Sequence, residues 1–259
     1  MTASVGIDYT DPVSFARLFP ALVRRGFKAR YELIGYEDWA PEEKWAYWAT
    51  HVNDVRFGSR HDQVYRQLLD LVVGRDYFVV TSNVDALFAR NGFEEKRLFT
   101  PQGDYALLQC RKPCTRRVWP FRPIMDQILP AIDPYSFRVR DSAVLPRCPD
   151  CGGEVFLNVR VDGSFIDDPY VEQYHRLSHW LREAREGALL VVEIGAGFNT
   201  PSVVRWPIEG VVETTPGAKL VRINLSQPEV PSEIADRSIS VRSDAGEAID
   251  AITRGLQRR

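Results

Sequence analysis

The chain has 259 residues, of which 44% are hydrophobic, 26% charged and 11% aromatic, and its formal net charge is −2. This is the composition of an ordinary globular protein with enough apolar material for a core, and the length allows one large domain carrying a small inserted one. Because no long basic stretch and no apolar run of membrane-spanning length occurs, the sequence argues against nucleic-acid and membrane partners.

Helical patterns and buried strands alternate along the chain. Predicted helices cover residues 12–25, 38–52, 61–74, 169–186 and 245–257. Four β-branched runs with apolar residues on both faces predict buried parallel strands at 77–81, 188–194, 220–225 and 238–241. Strands that alternate with helices indicate an α/β fold with a Rossmann-like, doubly wound parallel sheet.

Two segments differ from this pattern. Residues 104–165 contain turn-rich stretches, seven prolines and all the cysteines, which predicts a small zinc-binding module inserted into the large domain. The large domain then consists of residues 1–103 and 166–259. Residues 27–58 are rich in Trp, Tyr and Glu, and they predict a helical excursion from the sheet.

The cysteines form a C-x3-C pair and a C-x2-C pair, namely Cys110, Cys114, Cys148 and Cys151. Each pair sits on a short predicted turn, where two thiolates can converge on one ion, and four thiolates complete the tetrahedral coordination of a structural zinc. The N-terminus lacks the features of a signal peptide, so we expect a cytoplasmic protein, in which paired cysteines favour metal over disulfides. Four buried or redox-active cysteines are the alternative.

The residues that follow the predicted strands are polar or glycine-rich. They are Thr81-Ser82-Asn83-Val84-Asp85, Gly195-Ala196-Gly197, Asn224-Leu225-Ser226 and Ser243-Asp244-Ala245. Because ligands of open α/β sheets bind at the carboxyl ends of the strands, these segments predict one extended polar ligand across the sheet edge. Taken singly, Asn83 or Asp244 could instead be a capping residue.

In this order, these residues resemble the sirtuin family. Thr81–Asp85 is similar to the family's T-Q-N-I-D strand end, and the cysteines are similar to the ligands of its structural zinc. Gly195–Gly197 resembles its second glycine-bearing loop. Asn224 resembles its ribose-contacting asparagine, and Asp244-Ala245 resembles its adenine-end loop. The resemblance implies that NAD binds between a Rossmann domain and a small zinc domain, and that the nicotinamide–ribose bond is broken.

The resemblance also implies roles for individual residues. Asn83 would orient water or ribose hydroxyls and Asp85 would contact the nicotinamide amide, while the adenosine half would lie against Gly195, Asn224, Asp244 and Ala245. The full set that it implies for NAD binding is Thr81, Ser82, Asn83, Asp85, Gly195, Ala196, Asn224, Asp244 and Ala245.

One position departs from the family's deacylases. Those enzymes carry a His-Gly pair shortly after this strand end, where the present chain has Gln102-Gly103, and no histidine lies between residues 62 and 174. A carboxamide does not accept a proton near neutral pH, so Gln102 cannot be a general base. Nicotinamide departure needs orientation more than a base, so the sequence predicts ADP-ribosyl transfer, with Gln102 as a second catalytic residue that holds the ribose. A merely space-filling Gln102 is the alternative.

The closest resemblance is to the macrodomain-linked microbial sirtuins. It is carried by Pro101-Gln102-Gly103-Asp104-Tyr105, Gly6-Ile7-Asp8-Tyr9 and Asn199-Thr200-Pro201. It implies ADP-ribosylation of a protein acceptor, in some members a lipoyl-carrier protein, and reversal by a partner macrodomain hydrolase. An NAD-dependent deacylase, a non-catalytic NAD- or ADP-ribose-binding protein and an NAD glycohydrolase remain the alternatives.

The start of the chain is the second departure. Thr2-Ala3-Ser4-Val5-Gly6-Ile7-Asp8-Tyr9 resembles the segment that comes after the first strand and the Gly-Ala-Gly loop in the family. We therefore expect the first strand to be missing, either because translation starts further upstream or because the protein is shortened. Without it, the sheet should expose unpaired edges and NAD should bind poorly.

Overall fold

The computed structural model describes residues 6–58, 62–198 and 200–257. Its helices are Pro12–Leu18 (α1), Pro20–Arg24 (α2), Pro41–Val52 (α3), Gln63–Val72 (α4), Leu87–Arg90 (α5), Arg122–Ala131 (α6), Asp168–Ala184 (α7), Arg205–Thr214 (α8) and Ala245–Gln257 (α9). Its strands are Val79–Val80 (β1), Leu98–Phe99 (β2), Gly103–Cys110 (β3), Trp119–Pro120 (β4), Val155–Val159 (β5), Leu190–Ile194 (β6), Lys219–Ile223 (β7) and Ser238–Val241 (β8). The opening segment 2–5 and Asn199, which carry part of the resemblance, lie outside the described residues.

Prolines set several helix boundaries. The helix predicted over 12–25 is two helices, because Pro20 has no amide hydrogen to continue α1 and instead begins α2. The carboxylate of Asp11 accepts hydrogen bonds from the backbone amides of Val13 and Ser14 and so caps α1. Pro41 likewise begins α3, three residues later than the predicted start.

The chain divides into two compact units, one of which contains residues 60–102 and 167–259. This unit has a parallel sheet of strand order β6-β7-β8, in which Leu190 pairs with Lys219 and Ile223 with Val241. A second, two-stranded parallel sheet pairs β1 with β2. The strand predicted over 77–81 is thus only two residues long, whereas those predicted over 188–194, 220–225 and 238–241 are close to β6, β7 and β8.

Helices cover both faces of the three-stranded sheet. On one face, Leu189, Val191 and Leu220 pack with Val212 of α8 and Trp180 of α7. On the other face, the sheet packs on α4 and α9 through an apolar cluster that includes Val64, Leu68, Ile194, Ile223 and Ile249. Helices on both faces of a parallel sheet are the doubly wound arrangement that the sequence predicts.

Among the described residues, β6 pairs on one side only, with β7. Leu190 and Val192 of β6 are 60% and 46% exposed, although they belong to an apolar run that predicts a fully buried strand. Leu190 and Val192 therefore lie exposed on one face of a strand at the edge of the described sheet.

The second unit contains residues 6–59 and 103–166. It has an antiparallel sheet of order β4-β3-β5 together with α1, α2, α3 and α6. The segment predicted as an excursion of the large domain packs in this unit, because its aromatic side chains meet those of the zinc-bearing segment. The ring centroids of Trp45 and Phe121 are 5.6 Å apart, and those of Trp48 and Phe156 are 5.3 Å apart.

A fully buried histidine lies inside this aromatic core. The ring of His51 on α3 is 5.3–5.6 Å, between centroids, from the rings of Tyr9, Tyr47, Trp48 and Tyr105. Neither of its ring nitrogens has a hydrogen-bond partner among the described residues. Burial, helped by the positive charge of Arg30, lowers the pKa of His51 well below its ordinary value, so the buried ring is neutral.

No helix in the described part of the chain combines the length and the apolar character needed to cross a bilayer.

Candidate functional site

The four cysteines converge on one point of the second unit. Cys110 ends β3, and its pairing with Val155 at the start of β5 brings it beside the knuckle formed by residues 148–153. In this knuckle the amide of Cys148 donates to the carbonyl of Gly153, and the amide of Gly152, whose φ is +69°, donates to the carbonyl of Cys148. A positive φ of this kind favours glycine, which explains the glycine after the second pair.

The sulfur geometry fits a tetrahedral metal. The sulfurs of Cys110 and Cys151 are 3.8 Å apart, those of Cys114 and Cys148 are 3.5 Å apart, and all four sulfurs lie within 4.8 Å of one another. Tetrahedral zinc with Zn–S bonds of about 2.3 Å needs sulfur–sulfur separations of about 3.8 Å. The four cysteines are thus clustered as a possible structural zinc site, and four thiolates leave no coordination position for a substrate.

The three-stranded sheet brings the predicted adenosine-side residues to one edge. Gly195, with a φ of +70°, donates its amide to the carbonyl of Ile223, and Asn224 donates its amide to the carbonyl of Val241. At the end of β8, the carboxylate of Asp244 accepts the amides of Gly246 and Glu247 at 2.7 and 3.4 Å and so caps α9. The loops after β6, β7 and β8 therefore form one rim, and Asp244 has the capping role that was the alternative for it.

The side chain of Asn224 makes three hydrogen bonds within the protein. Its side-chain nitrogen donates to the carbonyl of Ala196 at 2.9 Å, and its side-chain oxygen accepts the amides of Ser226 and Gln227, each at 3.0 Å. The residue is 8% exposed. Besides any ligand contact, Asn224 therefore ties the loop after β6 to the loop after β7.

The nicotinamide-side residues follow the two-stranded sheet. The amide of Thr81 donates to the carbonyl of Phe99 at 3.0 Å, which holds the segments after β1 and β2 side by side. The hydroxyl of Thr81 accepts the amide of Asn83 at 3.1 Å, and Asn83 and Gln102 are both half-buried. The structure thus places Asn83 and Gln102 after neighbouring parallel strands, at the same end of this sheet.

Asp85 comes five residues after Val80, the last residue of β1, and its side chain is buried. It is 4% exposed, and its carboxylate accepts the amide of Leu87 at 2.9 Å, just after Ala86 in left-handed conformation. Burial raises the pKa of Tyr65 on α4, and the carboxylates of Asp85 and Asp62 add to the rise, so the phenol stays protonated.

A buried cluster of four charged side chains lies behind the rim of the three-stranded sheet, and the sequence did not predict it. Arg222 contacts the carboxylates of Glu193 and Glu209, both at 2.7 Å, while Arg205 lies 3.8 Å from Glu193 and 3.6 Å from Glu209. Burial raises the pKa of Glu193 even though the two arginines oppose the rise. Opposite charges inside two otherwise apolar strands, at the paired positions 193 and 222, were the available signal.

Comparison with known proteins agrees with this architecture. No protein-family model matches the chain. A Sir2 homologue variant solved as an ADP-ribose complex superimposes with a TM-score of 0.56 at 19% identity, over 99% of this chain and 88% of that one. Another Sir2 homologue variant, solved as a 2′-O-acetyl ADP-ribose complex, gives a TM-score of 0.53 at 20% identity, over 84% of this chain and 75% of that one. The chain has the sirtuin fold.

Two curated proteins to which this chain is similar carry names that refer to ADP-ribose. A Fusarium oxysporum f. sp. cubense protein named "Probable bifunctional ADP-ribose hydrolase/ADP-ribosyltransferase" is 37% identical over 96% of this chain. A Staphylococcus aureus protein named "Protein ADP-ribosyltransferase" is 25% identical over 98% of the chain. The sirtuin-fold chain spans 43% of the length of the first relative and 80% of the second.

Proposed function

We propose that this chain is an NAD-dependent ADP-ribosyltransferase of the sirtuin type, which breaks the nicotinamide–ribose bond of NAD and transfers ADP-ribose to a protein acceptor. The observation that carries the proposal is Gln102, a carboxamide at the position where the resemblance places the proton-accepting histidine of deacylases. The relatives named as ADP-ribosyltransferases support the same reaction.

The binding residues divide between the two sheets of the first unit. We assign the adenosine half of NAD to Gly195, Ala196, Asn224, Asp244 and Ala245, because their loops form one rim after β6, β7 and β8. The backbone amides and glycines of such a rim can approach a polar ligand closely. The nicotinamide half is assigned to Thr81, Ser82, Asn83 and Asp85, which follow β1.

The reaction needs few proton transfers. The bond between the ribose carbon and the nicotinamide nitrogen breaks, and neutral nicotinamide leaves with the bonding electron pair. A nucleophile of the acceptor then forms a bond to the same carbon and releases its proton to solvent or to a group of its own. Asn83 orients the ribose, and Gln102 hydrogen-bonds a ribose hydroxyl without deprotonating it.

A deacylase has a stricter requirement. It needs a ribose hydroxyl to lose its proton and attack an acyl intermediate, and the absence of a positioned base typically costs about two to four powers of ten in rate. Gln102 therefore selects against deacylation and leaves nicotinamide departure feasible.

The acceptor and the reversal step are finer parts of the proposal. By the resemblance, we assign a lipoyl-carrier protein as the acceptor and a macrodomain hydrolase as the partner that removes the modification. The Fusarium relative, whose name joins a hydrolase to a transferase, supports the second assignment. A cysteine cluster arranged for a metal supports a reducing, cytoplasmic location.

The experiment is transfer of label from NAD, labelled in its adenylate part, to a lipoylated carrier protein and to control proteins. We expect label on the acceptor, and nicotinamide release that an acyl-lysine peptide does not stimulate. Release that depends on such a peptide would instead identify a deacylase, and binding without turnover would identify a non-catalytic protein.

A substitution at the predicted reacting centre sharpens this experiment. Asn83→Ala should reduce nicotinamide release to near background while zinc content and the circular dichroism spectrum stay unchanged. Asn91→Ala is the matched control, since Asn91 is also in this unit but binds the carbonyl of Leu87 and the amide of Asp62 in the interior. Full activity of Asn83→Ala would show that the reacting centre is misplaced.

A further inference from the structure

The side chain of Arg205 joins two loops of the rim. It is only 3% exposed, although Arg205 begins α8 and lies close to the surface loops. Its guanidinium donates to the carbonyl of Ala196 at 3.0 Å, to that of Gln227 at 3.1 Å and to that of Glu229 at 2.8 Å. One carbonyl belongs to the loop after β6 and two belong to the loop after β7.

The same two loops meet closely at a second point. The side-chain oxygen of Gln227 accepts the amide of Phe198 at 3.2 Å. A Cβ atom on Gly197 would lie 3.0 Å from that oxygen, a tight contact that would push the Gln227 side chain aside. The guanidinium of Arg205 also lies 4.3 Å from the centre of the Phe198 ring, within cation–π range. The loop after β6 is therefore held by contacts with two residues, Arg205 and Gln227.

The positive charge of Arg205 is balanced by the carboxylates of neighbouring residues. Glu193 and Glu209 flank it, and Arg222, itself fully buried, binds both carboxylates and the carbonyl of Glu229. Two arginines and two glutamates make the cluster neutral. Because buried ion pairs cost desolvation energy and an apolar core would pack here at less cost, stability alone does not account for four charged residues directly behind the rim.

We infer that Arg205 is a positioning residue that holds the Gly195–Phe198 and Asn224–Glu229 loops in the shape that binds the adenosine half of NAD. This inference rests on the proposed function. Loops that are ordered before the ligand arrives lose less entropy on binding, so Arg205 acts on affinity. Asn83 and Gln102 follow the other sheet, so the chemical step does not depend on Arg205.

The test uses three arginine variants of the zinc-loaded protein. Arg205→Met keeps the apolar stem and removes the donors, whereas Arg205→Lys keeps the charge and part of the donor capacity. Arg237→Met is the matched control, because Arg237 also binds two carbonyls, those of Val212 at 2.9 Å and Thr215 at 3.0 Å, but at the far end of α8.

We expect Arg205→Met to raise the KM and the Kd for NAD about tenfold or more, with kcat changed by less than about twofold, which is the pattern for lost binding without lost chemistry. Arg205→Lys should give an intermediate value. Arg237→Met should lower the unfolding temperature and leave the KM for NAD within about twofold of the wild type. A purely structural role would instead make Arg205→Met and Arg237→Met indistinguishable in KM, and that result overturns the inference.

A milder variant covers the case in which Arg205→Met does not fold. Gln227→Ala removes only the acceptor for the Phe198 amide, and it should raise the KM for NAD about threefold or more by the same loss of loop order. Unchanged KM in this variant counts against the inference. Failure of the wild-type protein to give heat with NAD in calorimetry refutes the proposed function itself, so the two failures are distinguishable.

Discussion

The buried His51 makes a quantitative prediction about pH. Its side chain is fully buried among four aromatic rings, and its nitrogens bind no described group. Replacing it by phenylalanine therefore removes a titrating group without breaking a described hydrogen bond. The proposed variant is His51→Phe.

The sign follows from the direction of the shift. The folded-state pKa of His51 lies well below that of the unfolded chain, so protonation favours unfolding. The stability that neutral His51 contributes is fully present above the unfolded pKa of about 6.5, and it is lost as the pH falls from there toward the folded value. Each pH unit in that window costs about 1.4 kcal/mol per proton, so moving from about pH 8 to about pH 5 should cost up to about 2 kcal/mol.

The assay is urea unfolding at both pH values, monitored by the tryptophan fluorescence to which Trp45 and Trp48 of the same helix contribute. We expect the wild type to lose more stability than His51→Phe over this interval, by up to about 2 kcal/mol. His179→Phe is the control, because His179 is 64% exposed and lies beside Glu183 on the surface of α7. Equal pH dependence in the wild type and His51→Phe would refute the claim that the buried ring is neutral.

Two further predictions concern the second unit. Cys148→Ser should reduce bound zinc from about one ion per chain to none and melt the antiparallel sheet, because structural zinc sites supply folding free energy; metal analysis with circular dichroism checks this, and retained zinc would contradict it. Gly103→Ala should destabilise the unit by at least about 2 kcal/mol in urea, since its φ is +101° and its new Cβ would collide with the carbonyl of Asn158. Gly35→Ala, which has a φ of +81° but open space around it, should cost less, and an equal cost would mean that the collision is relieved by movement.

Features set by local chemistry could be predicted from the sequence. The cysteine spacing predicted a cluster that the sulfur distances fit, and the apolar runs predicted β6, β7 and β8 to within a few residues. These features depend on neighbours in sequence, such as a turn that holds two thiolates or a run that is buried on both faces. The strand-end residues indicated which loops meet, because parallel strands bring their carboxyl ends to the same edge, whereas their assignment to NAD stays a prediction.

Features set by distant contacts could not be predicted. The segment 27–58 was expected to belong to the large domain, yet Trp45 and Trp48 pack on Phe121 and Phe156, more than seventy residues away in sequence. The role of Arg205 depends on carbonyl groups, which every residue has and which leave no trace in sequence. Charge pairing across β6 and β7 was visible in principle at Glu193 and Arg222, but only once the register was known.

The unpaired side of β6 has a consequence for any sample of this protein. Among the residues that the structure describes, the row of β6 backbone groups that points away from β7 pairs with no other strand, and the apolar side chains of Leu190 and Val192 on this strand are exposed. An extended peptide lying along that row would form ladder hydrogen bonds and shield both side chains, so any occupant of the row adds to stability by mass action. If such an occupant binds, the free energy of unfolding of this unit would rise with the concentration of that occupant, and a second copy of the chain would make it depend on protein concentration.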